Sequence, residues 1–236
     1  MALGNKTLDD LLKPISEQLE HTAVAESIEL PTWEFKAQRL TDGKSAAQLV
    51  DMFESEAGKI RVQTKRCSPD GLAGCIASIV GKGTPDEGAA CSVVCARDER
   101  FESAGLYDTL SKQKLVDKVT VWDSATGKAN VDAALVATYG ITYAVGGIAE
   151  TATIVQPTSP DCGRAVSLLP LVHIAVVDAS TIVPTMGEVM ADLEKLKDGL
   201  PSQVCFISGP SATADIELVR VEGVHGPMYV YYVIVE

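Results

Sequence analysis

The chain has 236 residues with a net charge of −12, from 32 acidic and 20 basic residues, and 46% of its residues are hydrophobic. This length suits one large α/β domain or a domain with an extension, and the hydrophobic fraction allows a packed core. Because like charges repel, the acidic balance disfavours nucleic acid and anionic membrane surfaces as partners.

No segment has the properties of a membrane anchor or a secretory signal. The longest apolar stretches, such as residues 229–235, are far too short to cross a hydrocarbon core. The first ten residues contain no apolar run. We therefore expect no membrane insertion and a cytoplasmic location.

The N-terminal part of the chain has the pattern of a helical extension. Thr7 begins a sequence that resembles a capping box, and leucines follow it at helical spacing. Pro14 lies inside this pattern and is expected to kink or split the helix. Residues 24–44 show no steady period. We predict a helical extension over residues 1–45 and the main α/β domain over residues 46–236.

Helical and strand patterns alternate from residue 46 onward. Leu49, Val50 and Phe53 fall at helical spacing, residues 59–64 alternate as a strand does, and Ser68 caps a further helix. Apolar runs predict strands at 90–96, 118–122, 141–148, 153–155, 171–177, 203–207 and 228–235, with helices at 131–138 and 186–196. This alternation predicts an α/β fold with a Rossmann-like, mainly parallel sheet and helices on both faces.

The cysteines and histidines do not form a metal-site pattern. No two of the six cysteines have the Cys-x-x-Cys spacing that iron–sulfur and zinc sites often use. Cys91 and Cys95 fall on one face of a predicted strand and are expected to be small buried side chains. His173, inside an apolar run, is expected to be a core histidine with its hydrogen bonds satisfied. We expect the chain itself to bind no metal and no cofactor.

Three loops are candidates for chemistry, because ligands of such sheets lie beyond the carboxyl ends of the strands. The first spans residues 146–153, where Glu150 follows an apolar run and Thr151 and Thr153 stand beside it. A carboxylate at a strand end can act as a base or nucleophile once its pKa is tuned. The alternative is a glutamate that caps backbone amides in a tight turn.

The second candidate loop spans residues 208–217. Its small and polar residues are Ser208, Gly209, Ser211, Thr213 and Asp215. Backbone amides and hydroxyl groups in such a loop can hold an anion. The alternative is a turn in which the side chains satisfy local amides.

The third candidate loop is the turn at residues 223–227, which carries His225 between two glycines and a proline. The ordinary pKa of histidine suits proton transfer near neutral pH, so His225 is a candidate for catalysis. A purely structural role is the alternative.

Several motifs occur together in the order found in the LUD-domain family, specifically the lactate utilization protein C family. They are Ala149-Glu-Thr-Ala-Thr153, Arg164-Ala-Val-Ser-Leu-Leu-Pro-Leu-Val-His173, Ile182-Val-Pro-Thr185, Ser208–Glu217 and Gly223-Val-His-Gly-Pro227. Their order and approximate spacing resemble the family over residues 140–236. One position departs from the pattern: Ala152 stands where the family motif has glycine. A methyl group there removes easy access to positive φ, so the geometry at Glu150 is expected to differ.

The resemblance implies a part in bacterial oxidation of L-lactate to pyruvate, beside partner proteins that carry iron–sulfur clusters. It also implies a fold similar to the sugar-phosphate isomerase and CoA-transferase group. The leading interpretation is an accessory or ligand-binding subunit of a lactate-oxidising system. The alternatives are a stand-alone enzyme, similar to a CoA-transferase or ligase, that acts through Glu150, and a purely structural assembly subunit.

If both strand-end loops face one edge of the sheet, they form a single crevice for a small anionic ligand. We expect this crevice to be lined by Glu150, Ser208, Ser211, Thr213 and Asp215. His225 reaches it only if its turn folds back. The guanidinium of Arg164 suits a carboxylate such as that of lactate.

Overall fold

The computed structural model describes residues 8–18, 39–195, 199–213 and 220–236. The chain divides into two compact units, residues 1–38 and residues 39–236. In the first unit one helix is described, α1 (Leu8–Gln18), and it continues past Pro14 without a break. The remainder of the predicted extension up to residue 38 lies outside the described residues.

The described part of the second unit alternates helices and strands, as the sequence predicts. The helices are α2 (Ala46–Lys59), α3 (Leu72–Val80), α4 (Glu99–Ser103), α5 (Leu106–Ser111), α6 (Lys128–Val136), α7 (Ala165–Leu168) and α8 (Met186–Glu194). The strands are β1 (Gln63–Cys67), β2 (Cys91–Cys95), β3 (Val116–Val121), β4 (Tyr139–Tyr143), β5 (Gly146–Ile148), β6 (Thr153–Pro157), β7 (Val172–Asp178), β8 (Ile182–Val183), β9 (Val204–Ile207), β10 (Ala212–Thr213), β11 (Val221–Glu222) and β12 (Tyr229–Val235).

Six strands form the main sheet in the order β1-β12-β7-β4-β2-β3. Each neighbouring pair in this sheet is parallel. The predicted mainly parallel sheet is therefore confirmed. Strand β7 lies near its centre and pairs with β12 on one side and β4 on the other, which explains why residues 172–177 are all buried.

Both faces of the main sheet are covered, because alternate residues of β7 belong to two different core clusters. Ile174 and Val176 pack in the first core cluster with residues of α3, α5 and α7. Ala175 and Val177 pack in the second core cluster, to which α2 contributes Phe53. The predicted helices on both faces are thus present.

A second, smaller sheet has the order β8-β5-β6-β9, and its β5–β6 and β6–β9 pairs are antiparallel. The chain passes from the main sheet to this second sheet between Ala144 and Val145. The amide of Ala144 donates to the carbonyl of Val176 in β7, whereas the amide of Val145 donates to the carbonyl of Val155 in β6. The prediction of one strand over residues 141–148 was therefore wrong: this apolar run forms two strands in two sheets.

The predictions for buried cysteine and histidine side chains are confirmed as to burial. Cys91 and Cys95 lie in β2 and are both buried. His173 is fully buried, and its Nε2 lies 2.9 Å from the hydroxyl oxygen of Thr142. Its Nδ1, however, has no hydrogen-bond partner among the described residues, so this core histidine is only half satisfied.

Candidate functional site

Two of the predicted loops meet through three side-chain hydroxyl groups. The hydroxyl oxygen of Thr153 lies 2.7 Å from that of Thr151 and 2.7 Å from that of Ser208. Thr153 is buried, whereas Thr151 and Ser208 are exposed. We call these three residues the hydroxyl cluster.

The hydroxyl cluster can donate one hydrogen bond to an external ligand. Three hydroxyl groups carry three hydrogens, and the two bonds within the cluster use two of them. The third hydrogen is available to an external acceptor, such as a carboxylate or phosphate oxygen, when Thr153 donates within the cluster. If Thr151 and Ser208 both donate to Thr153, the third hydrogen is that of Thr153, and it goes to the carbonyl oxygen of Thr151 at 3.5 Å. The exposed ends of the cluster, Thr151 and Ser208, are where that acceptor can approach.

The backbone beneath the hydroxyl cluster is held by the side chain of Tyr232. Its hydroxyl oxygen lies 3.1 Å from the carbonyl oxygen of Ala152 and 3.0 Å from that of Ile207, and it accepts from the amide of Gly209 at 3.1 Å. The ring is fully buried and stacks on Phe53 with 5.3 Å between centroids. Burial raises the pKa of this phenol above its ordinary value. The sequence analysis did not identify Tyr232, because it lies within an apolar run and resembles an ordinary core residue.

Ala152 adopts the left-handed conformation, with φ 47° and ψ 44°, although it has a Cβ atom. The loop thus keeps the positive φ that the glycine of the family motif would favour, at some cost in backbone strain. The expectation that the geometry at Glu150 differs from that of the family stays a prediction. The buried methyl group packs in the second core cluster, which helps to offset the strain.

The amides of the second loop are already used inside the protein. The amide of Gly209 donates to Tyr232 and that of Ser211 donates to the carbonyl of Pro227 at 2.9 Å. Gly223 in turn donates to the carbonyl of Ser211, so the 223–227 turn does fold onto this loop. The structure therefore does not show the expected anion cradle of free amides at Gly209 and Ser211. His225 is exposed in this turn.

The other predicted site residues are placed in different surroundings. Thr213 lies in β10, and Asp215 lies outside the described residues. The amide of Glu150 donates to the carbonyl of Pro184 at 3.3 Å. Its side chain is half-buried, and Glu150 directly precedes Thr151 of the hydroxyl cluster in the sequence.

Arg164 is not part of the hydroxyl cluster. Its guanidinium donates to the side chain of Gln203 at 2.9 Å. Gln203 precedes β9, whereas Ser208 follows it, and a strand of this length separates its ends by about 13 Å. The structure thus brings together Thr151, Thr153 and Ser208 but does not bring Arg164 to them.

The predicted loops do not lie at the carboxyl edge of the main sheet. Residues 149–152 connect β5 with β6, and residue 208 follows β9, so both loops belong to the second sheet. The assignment of both loops to the carboxyl edge of one parallel sheet was wrong. Apolar periodicity identifies a strand but does not tell which sheet it joins.

A different set of residues occupies the carboxyl edge of the main sheet. A crevice of about 560 Å³ opens there, lined by residues that follow β1 and β2 and by the last residues of β4, β7 and β12. The strand order reverses between β2 and β4, which is where α/β sheets commonly bind ligands. We call this the carboxyl-edge crevice.

Arg100 is the central cation of the carboxyl-edge crevice. Its guanidinium donates two bonds of 2.8 Å to the carboxylate of Asp98 and one of 3.2 Å to Asp178. It also lies 3.4 Å above the ring of Tyr143, whose hydroxyl donates to Asp178 at 2.6 Å. Asp98 stands three residues after β2 and Asp178 is the last residue of β7. This position at the end of a buried strand was the sequence signal that could have identified them.

The electrostatics of the carboxyl-edge crevice disfavour an anion. Burial alone would raise the pKa of Asp98, but the bonds from Arg100 hold it below its ordinary value. Arg100 is therefore neutralised, while Asp70, Glu99 and Asp178 add negative charge to the lining. A small carboxylate would be repelled here.

Within the described ranges, no group of three or more His, Cys, Asp or Glu side chains could hold a metal ion. The helices described in residues 8–18 and 39–195 include none long and apolar enough to span a membrane.

Comparison with known proteins identifies relatives over nearly the full chain. The family model for the LUD domain matches residues 34–235. Lactate utilization protein C of Halalkalibacterium halodurans is 35% identical over 232 residues, which cover 97% of each chain. That of Bacillus subtilis is 33% identical over 235 residues, covering 96% of this chain and 95% of the relative.

A solved structure shares the fold. The crystal structure of a DUF162 family protein from Deinococcus radiodurans matches with a TM-score of 0.55 and 23% identity. The match covers 82% of this chain and 99% of that chain. At this identity the likeness shows the fold alone.

Proposed function

Because the chain belongs to the LUD-domain family, we propose that it serves in the utilization of L-lactate, as a subunit beside partner proteins that carry iron–sulfur clusters. The observation that carries this proposal is the 35% identity with a lactate utilization protein C over 97% of both chains. A match of this extent includes both sheets and all the loops discussed above, so it supports a shared role and not merely a shared fold.

We propose that the small-molecule contact of this subunit is the hydroxyl cluster. The hydroxyl hydrogen that Thr151 or Ser208 can direct outward, when Thr153 donates within the cluster, suits a carboxylate oxygen, the acceptor that lactate and pyruvate share. Glu150 and His225 remain candidates for proton transfer, Glu150 from the same loop and His225 from the exposed turn. The acidic carboxyl-edge crevice is unsuited to such a ligand.

The role in lactate utilization can be tested by genetic complementation. Deletion of the gene should abolish growth of its host on L-lactate as sole carbon source, and growth on pyruvate should be unaffected. Reintroduction of the natural gene should restore growth. Normal growth of the deletion strain on L-lactate would contradict the proposal.

The contribution of the hydroxyl cluster can be tested in the same strain with a double variant of the cluster and a control serine variant. Ser208 and Ser202 lie at opposite ends of β9, and both make a side-chain bond to a threonine. The Thr153→Val, Ser208→Ala double variant should restore growth poorly, whereas Ser202→Ala should restore it fully. Equal restoration by both would rule out the hydroxyl cluster as the contact site.

The expected partners can be identified by purifying the tagged chain from its host without oxygen. Proteins that contain iron and sulfide should co-purify, and the mixture should oxidise L-lactate with an artificial electron acceptor. Removing this chain from the mixture should lower that rate. Turnover of an anionic substrate by the isolated chain would instead favour the stand-alone enzyme acting through Glu150.

A further inference from the structure

A cavity of about 490 Å³ lies between α8 and the second sheet. The sheet presents an outer face here, opposite the second core cluster, because Ile154 and Ile207 point inward and the residues beside them point outward. The apolar side chains around the cavity are mainly valines from the sheet and residues of α8 and the segment after it: Val155, Val183, Val204, Val189, Leu193 and Pro201. None of the residues predicted as site residues lines it.

In the described part of the chain, the side-chain contacts that fasten α8 lie at its N-terminus. At its N-terminus the amide of Thr185 donates to the carboxylate of Glu188, the Thr185 hydroxyl accepts from the amide of Gly187, and Glu188 forms an ion pair with Arg39 at 3.6 Å. Beyond that first turn no residue of α8 is fully buried. Val189 and Leu193 face the sheet but remain partly accessible. An amphipathic helix ordinarily buries such residues, so among the described residues the apolar face of α8 lacks a contact that a ligand can supply.

The size of the cavity fits a small molecule and not a protein segment. Its volume falls within the range of about 300–1,000 Å³ for small-molecule sites. A partner helix about 10 Å in diameter would fill it with only about 6 Å of its length, or roughly four residues. At about 30 Å³ for each water, the cavity holds about 16 water-sized groups. A ligand of about ten heavy atoms therefore fits inside it with room to spare.

The lining carries little charge to select an ion. Asp192 is its one ionised side chain among the described residues, and that carboxylate is paired with Lys195 at 2.6 Å. Thr158 and Thr181 contribute hydroxyl groups at the margin. The Thr181 hydroxyl donates to the carbonyl of Asp178 at 2.8 Å and that of Thr158 to the carbonyl of Gln203 at 3.2 Å, so toward a ligand both oxygens act as acceptors. An ionic ligand would lose its hydration without gaining a free countercharge.

We propose that the cavity under α8 binds an uncharged, largely apolar small molecule with a single hydroxyl group. The apolar body lies between the valines of the second sheet and the inner side of α8, and the polar group reaches the threonine hydroxyls at the margin. Binding completes the packing of α8 on the sheet. The inference rests on the geometry of this cavity and does not depend on the role in lactate utilization.

Direct binding measurements on the full chain test the proposal with three probes of equal chain length: octan-1-ol, octanoate and octylammonium. Isothermal titration calorimetry should show saturable binding of octan-1-ol with one site per chain, about tenfold tighter than either ion. Absence of saturable binding would overturn the proposal. Tighter binding of octylammonium would assign selection to Asp192 and of octanoate to Lys195, and either result would overturn the uncharged class.

Two variants of α8 locate the site. Val189→Phe places a larger side chain in the cavity, whereas Met190→Phe changes the next residue, which is 52% exposed and does not line it. Octan-1-ol affinity should fall about tenfold in the first and stay within about twofold in the second. Val204→Phe fills the cavity from the sheet and should act as Val189→Phe does, which guards against a defect in α8 alone. Unchanged affinity in both filled variants would refute the site.

Discussion

Tyr232 places one polar atom among the apolar side chains of the second core cluster, and that atom serves three backbone groups of two different loops. The hydroxyl accepts from Gly209 and shares its hydrogen between the carbonyls of Ala152 and Ile207. Replacement of the hydroxyl would leave buried backbone groups without partners, and such losses are costly. The geometry of the hydroxyl cluster therefore depends on a residue that lies below it and does not touch the ligand.

We expect Tyr232→Phe to lower the free energy of unfolding by about 1–3 kcal/mol, because it removes these bonds while the ring still stacks on Phe53. Denaturant unfolding monitored by circular dichroism gives this value. Tyr231→Phe is the matched control, because Tyr231 is the neighbouring residue on the other face of β12. Loss of the Tyr231 hydroxyl should lower the free energy of unfolding by less than about 0.5 kcal/mol. Equal effects of the two variants would show that the bonds of Tyr232 contribute little.

His173 couples the stability of the core to pH. Burial lowers its pKa to about 4 in the folded protein, below the ordinary 6.5. The unfolded chain takes up a proton at the ordinary pKa, whereas the folded protein resists it. Stability from this group is therefore complete above about pH 6.5 and declines as the pH falls toward 4.

We expect the free energy of unfolding to fall by roughly 3 kcal/mol between pH 6.5 and 4 through His173, at about 1.4 kcal/mol per pH unit. His173→Gln keeps an amide for Thr142 but cannot titrate, so its stability should decline less steeply over this interval. Denaturant titrations of both proteins across the pH series measure the difference. Parallel curves for the two proteins would mean that His173 does not cause the decline.

At the scale of elements, the positions of the helices and buried strands were largely predictable, but their assignment to sheets was not. The apolar run at residues 171–177 predicted β7 because a central parallel strand is buried on both faces. The run at 141–148 is also mainly apolar, yet its amides turn from β7 to β6 after Ala144. That change depends on tertiary pairing, which periodicity does not contain.

The same reason limits the prediction of the candidate site. The motif loops at residues 149–153 and 208–211 were identified from their composition, and Thr153 and Ser208 do meet. Arg164 was grouped with them because it also lies in one of the family motifs. Its guanidinium instead bonds to Gln203, which lies at the other end of β9 from Ser208. Asp178 and Arg100 were missed because each is a single charged residue whose meaning depends on which strand ends are neighbours.

The N-terminal cap of helix α2 can be tested separately from the packing of the helix. Ser45 and Gln48 form a reciprocal capping box at its start. We expect Ser45→Ala to lower the free energy of unfolding by about 1 kcal/mol. Ser55→Ala, an exposed serine within the same helix, should be neutral or slightly stabilising because alanine favours helix. If thermal and denaturant unfolding show no difference between the two variants, the cap does not contribute.

At the scale of the whole molecule, the described residues of both core clusters all lie at or after Leu49. The first core cluster begins at Leu72 and the second at Leu49. Each cluster lies on one face of the main sheet, and the second also includes residues of the second sheet. The division of the chain between residues 38 and 39 falls before both clusters.

We therefore expect a chain of residues 39–236 to fold without the first unit. It should unfold in one cooperative transition, with a free energy of unfolding within about 1 kcal/mol of the full chain. A second truncation, to residues 60–236, also removes α2 and with it Leu49, Val50, Phe53 and Ala57 of the second core cluster. Loss of one such large side chain costs about 2–5 kcal/mol, so loss of the whole helix should exceed the stability of a typical domain. Circular dichroism and size-exclusion chromatography of both truncations distinguish the outcomes. A disordered 39–236 chain would show that the first unit is required for folding, and a folded 60–236 chain would show that α2 is dispensable.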